Sequence, residues 1–413
     1  MTPSSLPPRP APSPPESPSE HPAPSLSEGF SKRPAPSLPR ILRGSDTPLP
    51  EGFTVGNAQD SLAGTGCTVI CCPEGAVAGM AVRGGAPATR ESDLLAPENT
   101  VQKIHAVMLS GGSAYGLDAA AGAMRWLEER KMGFFLAGQY VPIVCGASLF
   151  DLSIGDARAR PDAEMGYAAC ETASDRVVCG NVGAGAGASV GKLLGTTFAM
   201  KTGLGAAGIT IEGLTVSALV ALNASGAVTD RASGTMLAGV RDPADPQRLL
   251  DPLLALLLDA TSAPREAADA GAAADVGDAT DAGAAAEQRT PRGADPEGAA
   301  RGAGQVTNTT IACILTNAAL SKPDMSRVAS MAHDGFARAL EPAHTSFDGD
   351  AIFALAAGQH SASADLVGVL AALLTEAAIH EAVLCAEGAF GLPAARDLVR
   401  TGTNLLDREL KTL

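Results

Sequence analysis

The chain has 413 residues, of which 46% are hydrophobic but only 3% aromatic, so small aliphatic side chains packed around 46 glycines must fill its interior. That much apolar residue suffices for one large domain or two ordinary ones. A formal net charge of -15 leaves no basic field for a phosphate backbone or an anionic membrane, so neither nucleic acid nor a membrane surface is an expected partner.

Residues 1–48 open with "MTPSSLPPRPAPSPPESPSEHPAPSL", a Pro- and Ser-dominated composition that cannot bury enough apolar surface to offset ordering entropy. They read as a disordered tail without the apolar core of a secretory signal, and a cytoplasmic location is the expectation. From Gly52 onward the texture changes to short apolar runs punctuated by glycine. "GCTVICC", "AVAGMAVRGG" and "KIHAVMLSGGS" read as strands. "SAYGLDAAAGAMRWLEERK" reads as a helix from about Ser113, with Leu117, Ala120, Ala121, Met124 and Leu127 on one face. "LTVSALVALNASG" reads as a buried strand ending in a turn. Residues 262–303 form an acidic, Ala- and Gly-rich insert of low complexity, beyond what a compact domain ordinarily holds in one loop. After it, Ile311, Cys313 and Leu315 alternate as in a strand. "SKPDMSRVASMAHDGFARALEP" follows as a helix with Asp324 as N-cap and a face of Val328, Met331, Ala332, Gly335, Phe336, Ala339 and Leu340. The last long apolar run, "DLVGVLAALLTEAAIHEAVL", is interrupted by Glu376, His380 and Glu381 and is not expected to span a membrane. Strands and helices mix without the regular alternation of a doubly wound parallel fold.

Several motifs fail on inspection. "GNVGAGAGASVGKLLG" lacks the P-loop's first glycine, because Ala186 stands there, and has Leu193 where Ser or Thr is required. Ala188 and Val190 break a dinucleotide fingerprint. What remains is a glycine-rich turn ending in Lys192, either a solvated surface lysine or a charge aimed at a site. Asp348 and Asp350 flank Gly349, but Ala351 and Ile352 end any calcium loop. The pair is either an Asx-closed turn or two carboxylates that orient a nucleophile. The eight cysteines sit mostly in apolar runs and read as buried free thiols, and Cys67, Cys71 and Cys72 find no histidines at ligand spacing, so no metal and no cofactor is expected. Asn308-Thr309-Thr310 and Asn223-Ala224-Ser225 match the glycosylation pattern, which without a secretory signal is a chance match.

Asn308-Thr309 allows a more specific chemistry. If its peptide bond is strained, the Thr309 hydroxyl can attack the preceding carbonyl, turn the amide into an ester and let water release a new N-terminus. The freed α-amine, with a reference pKa of about 7.7 to 8.0, then serves the hydroxyl as its own base. An ordinary Asn-Thr pair in a strand is the competing reading.

"NTTIACILTNAALSKPDMSRVASMAHDGFARALEPAHTSFDGDAIFALA", taken with "RGGAPATRESDLL", "VMLSGGSAYGLDAA" and "NVGAGAGASVGK", resembles the DmpA family (peptidase family S58) of self-processing N-terminal-nucleophile hydrolases. Within it, the chain is most similar to the branch of nylon-oligomer (6-aminohexanoate-oligomer) endo-hydrolases. The likeness runs from about Gly52 to Leu406 apart from the insert. It implies an α+β fold, an αββα sandwich of the DmpA and ornithine acetyltransferase type, cleaved into pieces 49–308 and 309–413 that stay together as one catalytic domain. It implies Thr309 as nucleophile, Asn308-Thr309 as the scissile bond, Asn223 as an oxyanion donor, Lys192 as a nearby cation, and Asp348 and Asp350 as the carboxylates that position Thr309. Tyr115, on a glycine-rich turn, is either a substrate-binding residue or a buried structural one. The implied substrate is a short peptide or a linear amide oligomer, and the implied assembly a homo-oligomer of cleaved heterodimers. Threonine after asparagine, rather than serine after glycine, favours the nylon-oligomer branch. The long insert and the tail depart from the family without touching a matched motif. An acyltransferase like ornithine acetyltransferase and a non-catalytic binding protein are the alternatives.

Overall fold

The computed structural model describes residues 39–262 and 308–398. Residues 1–38, and the acidic insert from residue 263 on, lie outside the described residues. Inside the stretch read as a tail, Leu42–Arg43 forms a short strand at one edge of the main sheet and Thr47 is buried.

Eight longer strands build that sheet: β1 (Thr54–Asp60), β2 (Thr65–Val82), β3 (Lys103–Ser110), β4 (Val144–Ser148), β5 (Leu204–Ile211), β6 (Leu214–Ala221), β7 (Ile311–Ala318) and β8 (Ala351–His360). From the Leu42–Arg43 edge the order is β5, β6, β7, β8, β2, β3, β4 and finally Thr89–Arg90, with β1 also paired to β2. The β7–β8 and β3–β4 pairs are parallel and the others antiparallel, a mixed sheet of the expected α+β class. The runs "GCTVICC" and "AVAGMAVRGG" belong to one strand, β2, rather than two. Its ladder to β3 is irregular between Cys71 and Ala76, around Pro73 and Gly75, because proline has no N–H to give and Gly75 takes a φ of +78°. The part before this break pairs with β1 and β3, and the part after it pairs with β8 while Ala76 and Val77 continue the β3 ladder.

Alternation along the strands divides the interior. On β7, Ile311, Cys313 and Leu315 join Phe353 and Leu219 in a middle core that also takes Ile70, Val107 and Leu109 from the other half of the sheet. The two halves therefore face each other across one apolar layer. Ala312 and Ile314 point the opposite way, onto α4 (Lys322–Ala339) and α5 (Ala364–Leu384), against Val328, Phe336, Leu374 and Ala378. Beyond the other half, Cys67, Val69, Cys71 and Met108 pack on α1 (Ala119–Glu129) and α2 (Ala163–Glu171), while α3 (Pro252–Ser262) packs Ala255 against Val240 and Leu250. Phe336 is fully buried, and truncating such a ring to alanine costs about 3–5 kcal/mol.

Three sequence expectations are corrected in detail. The first helix starts six residues later in α-form: Ser113–Asp118 is a 3-10 turn, and its buried face is Ala119, Ala120, Ala123 and Leu127 rather than one through Leu117, Ala121 and Met124. The N-cap of α4 is Ser321, not Asp324. Asp324 is instead the third helical residue, and its carboxylate accepts from the Ser321 backbone N–H to close a capping box. On the α4 face, His333 is buried while Met331 is only partly so. The apolar run near the C-terminus forms α5, which is long enough to cross a membrane, but 78% of its most apolar window is buried in the core. There Glu376 pairs with Arg231 at 3.2 Å and His380 bonds the Thr229 carbonyl. All eight cysteines are free, six of them buried and Cys179 and Cys385 half-buried.

Candidate active site

β7 begins directly after the Asn308-Thr309 peptide, and the 345–350 turn leads into its parallel neighbour β8. Pairing these strands from Ile311 and Ala351 onward therefore brings Thr309 beside Gly349. The scissile-bond candidate is buried: Asn308 is 3% and Thr309 5% exposed. The Asn308 carbonyl oxygen accepts the Gly349 N–H at 2.8 Å, and the Thr309 hydroxyl donates to the same oxygen at 2.5 Å. The Thr309 N–H donates to the backbone carbonyl of Asn223 at 2.9 Å. Gly349 has to be glycine, since a β-carbon there would lie 2.6 Å from the Thr309 hydroxyl oxygen. Gly84, in "RGGAPATR", lets that segment abut the same turn, where a β-carbon would meet the Asp348 carbonyl at 2.3 Å.

The Asp348 and Asp350 carboxylates bind different backbone groups. Asp348 Oδ2 accepts the Thr345 N–H at 2.7 Å, closing the turn. Asp350 Oδ1 accepts the Thr310 N–H at 2.8 Å and so fixes the residue after the nucleophile candidate. Burial, with Asp350 as a like-charged neighbour, pushes the Asp348 carboxyl up to about 6.

Lys192 is not a surface lysine. It is 2% exposed, and its Nζ donates to Asn223 Oδ1 at 2.7 Å. Burial pulls its pKa down to about 7, against the pull of the Asp348 and Asp151 charges. The Asn223 side chain is locked: Oδ1 also accepts the Ser189 N–H at 3.1 Å, and Nδ2 donates to the Phe150 carbonyl at 2.9 Å. Nδ2 has a second hydrogen to offer. Neither asparagine of the two glycosylation patterns is exposed. Tyr115 is 59% exposed, which removes the buried structural alternative, and the Arg160 guanidinium lies 3.6 Å from its ring centroid. No direct contact joins Tyr115 to Thr309; its turn is tied to the cluster through Gly112, whose N–H donates to Asp151 Oδ1 at 2.7 Å.

Four further groups in or next to this cluster are given no role by the sequence. Asp151 sits in "SLFDLSIGD", outside any motif, yet is buried, accepts from Thr65 and Gly112, and has its pKa raised by that burial. Lys201 is fully buried and donates to the carbonyls of Gly185, Ala188 and Thr202. His344 touches Asp350, and the Gly349 N–H meets the Asn308 carbonyl. Long-range pairing brings these groups together, and only the spacing of Gly349 between two aspartates could have marked one of them.

The model of peptidase family S58 matches residues 51–395. The chain belongs to peptidase family S58. This S58 chain is 41% identical over 352 residues to an uncharacterized aminopeptidase of Mycobacterium leprae, covering 79% of this chain and 84% of that protein. It is 31% identical over 308 residues to a 6-aminohexanoate-oligomer endohydrolase of Kocuria sp., covering 74% and 72%. The L-aminopeptidase D-Ala-esterase/amidase of Ochrobactrum anthropi, described as a variant of the Ntn hydrolase fold, matches with a TM-score of 0.55 at 16% identity over 86% of this chain and 92% of its own, a likeness of fold. Family S58 membership makes the chain an amide-bond hydrolase, and its mixed sheet with flanking helices is of the Ntn hydrolase kind.

Proposed function

We propose that this S58 hydrolase activates itself by cleaving Asn308-Thr309 and then uses Thr309 as an N-terminal nucleophile on short peptides or linear amide oligomers. The observation that carries this reading is the Thr309 hydroxyl 2.5 Å from the Asn308 carbonyl oxygen while the Gly349 N–H holds that oxygen at 2.8 Å. Oγ1 gives up its proton and attacks the carbonyl carbon, negative charge grows on the oxygen facing Gly349, and collapse breaks the C–N bond as the nitrogen takes up a proton, leaving an ester on Thr309. Water hydrolyses the ester and frees the α-amine. The Asn223 carbonyl that holds the Thr309 N–H then holds an amine hydrogen and aims the lone pair at Oγ1. Lys192, brought near neutrality by burial, supplies a group able to take or return a proton around pH 7, and Asp348, at about 6, is ionised in the same range. In turnover the same hydroxyl attacks a substrate amide, the leaving amine departs with a proton, and water resolves the acyl-enzyme.

This reading carries with it the αββα sandwich in two chains, a homo-oligomer of cleaved heterodimers and a cytoplasmic location. The relatives named for aminopeptidase and 6-aminohexanoate-oligomer endohydrolase activity define the substrates to screen. Aminoacyl anilides and 6-aminohexanoate oligomers should be hydrolysed by the wild-type chain and not by Thr309→Ala, with free acid as product even when an amine acceptor is added. Transfer to the added amine in preference to water would move the assignment to an acyltransferase. Equal turnover by Thr309→Ala would remove Thr309 from the chemistry.

A further inference from the structure

We propose that His344 is a positioning residue of this site, acting on Thr309 through Asp350; the proposal rests on the reading of Thr309 as nucleophile. His344 has a φ of +59°, in the left-handed region that histidine enters only occasionally. In that conformation its backbone N–H and its ring Nδ1 both reach one oxygen of Asp350, Oδ2, at 3.2 Å and 2.9 Å. Toward an ionised carboxylate, which only accepts, Nδ1 is assigned as the donor. With Oδ2 occupied, the other oxygen is left to the Thr310 N–H at 2.8 Å. The linkage runs from the His344 ring to the Asp350 carboxylate, to the Thr310 amide, to the Thr309 main chain.

The ring is held from behind by α4. His333 meets it edge-on with centroids 4.8 Å apart, and Phe336 stacks on it at 5.8 Å. His333 is anchored in turn by the Ala81 carbonyl at 3.0 Å and is kept neutral by burial, which lowers its pKa to about 4. The remaining charges around Asp350 are Asp348, across Gly349, and Arg83, whose guanidinium is taken by Ser330 and Asp334. Without the ring, Asp350 has no side-chain donor among the described residues and has the Asp348 carboxyl as its neighbour. A buried His344 Nε2 has no protein partner among the described residues, so the ring's single hydrogen bond is the one to Asp350.

The test compares His344→Asn with His344→Gly. Both residues tolerate the left-handed conformation and both remove the ring, but only asparagine keeps an amide donor close to the position of Nδ1. Cooperative melting of each variant controls for folding. Self-cleavage rate, kcat and KM on an aminoacyl anilide are the readouts. His344→Gly should slow cleavage and lower kcat by about ten- to a hundredfold with KM within about twofold, and His344→Asn should recover to within about threefold of wild type. Equal losses in the two variants, or no loss in either while wild type is active, would overturn the positioning role and leave Thr309 in place. A wild-type chain that neither cleaves nor hydrolyses would bring down the Thr309 reading and this role together.

Discussion

Lys192 and Lys201 stand at the two ends of one short stretch, both buried and both lowered by that burial to about 7, yet their surroundings differ. Lys201 gives all three of its hydrogens to backbone carbonyls and so pins the glycine-rich turn to the strand segment Met200–Lys201. Lys192 has one acceptor, the Asn223 side chain, and otherwise feels the charges of Asp348 and Asp151. Burial and a shifted pKa alone therefore do not distinguish a structural lysine from a functional one. A saturated ammonium serves structure, whereas one with hydrogens to spare that feels two carboxylate charges keeps donors for another group.

Substituting both lysines by methionine breaks or sharpens this contrast. Lys192→Met should lower turnover by about a hundred- to a thousandfold while stabilising the fold. The sign follows from the pKa: a lysine whose folded value is about 7 against an ordinary 10.5 loses stability as pH falls through that interval, because the folded chain resists a proton that the unfolded chain takes. The stabilisation by methionine should be complete below pH 7, on the order of a few kcal/mol, and gone by about pH 10.5, as melting across that range would show. Lys201→Met gains the same pH-dependent term, since Lys201 is also lowered to about 7, but takes the donor from the Thr202 carbonyl at a cost of about 1–3 kcal/mol. The Gly185 and Ala188 carbonyls keep the Ala188 and Thr202 N–H groups, so the stabilisation should be smaller than that of Lys192→Met by about that amount, while kcat of the folded enzyme changes by less than about tenfold. Loss of turnover in Lys201→Met at unchanged stability would erase the distinction. The smallest effect belongs to Ser321→Ala, far from both lysines. Losing the α4 cap should cost about 1 kcal/mol in denaturant unfolding and leave cleavage and kcat unchanged.

The same contrast explains what was legible in the sequence. Ile311 to Leu315 and the "LTVSALVA" run show their strands through local alternation or continuous apolarity, and Phe336 shows its helix face through spacing. Thr309, Lys192, Asn223 and both aspartates are candidates because separate motifs resemble one family, and the fold links Lys192 to Asn223, Asn223 to Thr309 and Thr310 to Asp350 by hydrogen bonds. Asp151, Lys201 and His344 were not legible. Their roles come from partners 39, 16 and 6 residues away, joined by pairings and a left-handed backbone that no local pattern encodes. The α4 cap was misplaced because Ser321 and Asp324 are both good capping residues, and only geometry shows which one caps and which one closes the box.

The central claim is that Thr309 becomes an N-terminus and does the chemistry, and intact mass under denaturing conditions tests it most directly. The account predicts two fragments from the wild-type chain, with masses that place the cut between Asn308 and Thr309, and one full-length chain from Thr309→Ala. A wild-type chain that stays whole after long incubation, or a Thr309→Ala chain cut at the same bond, would contradict it.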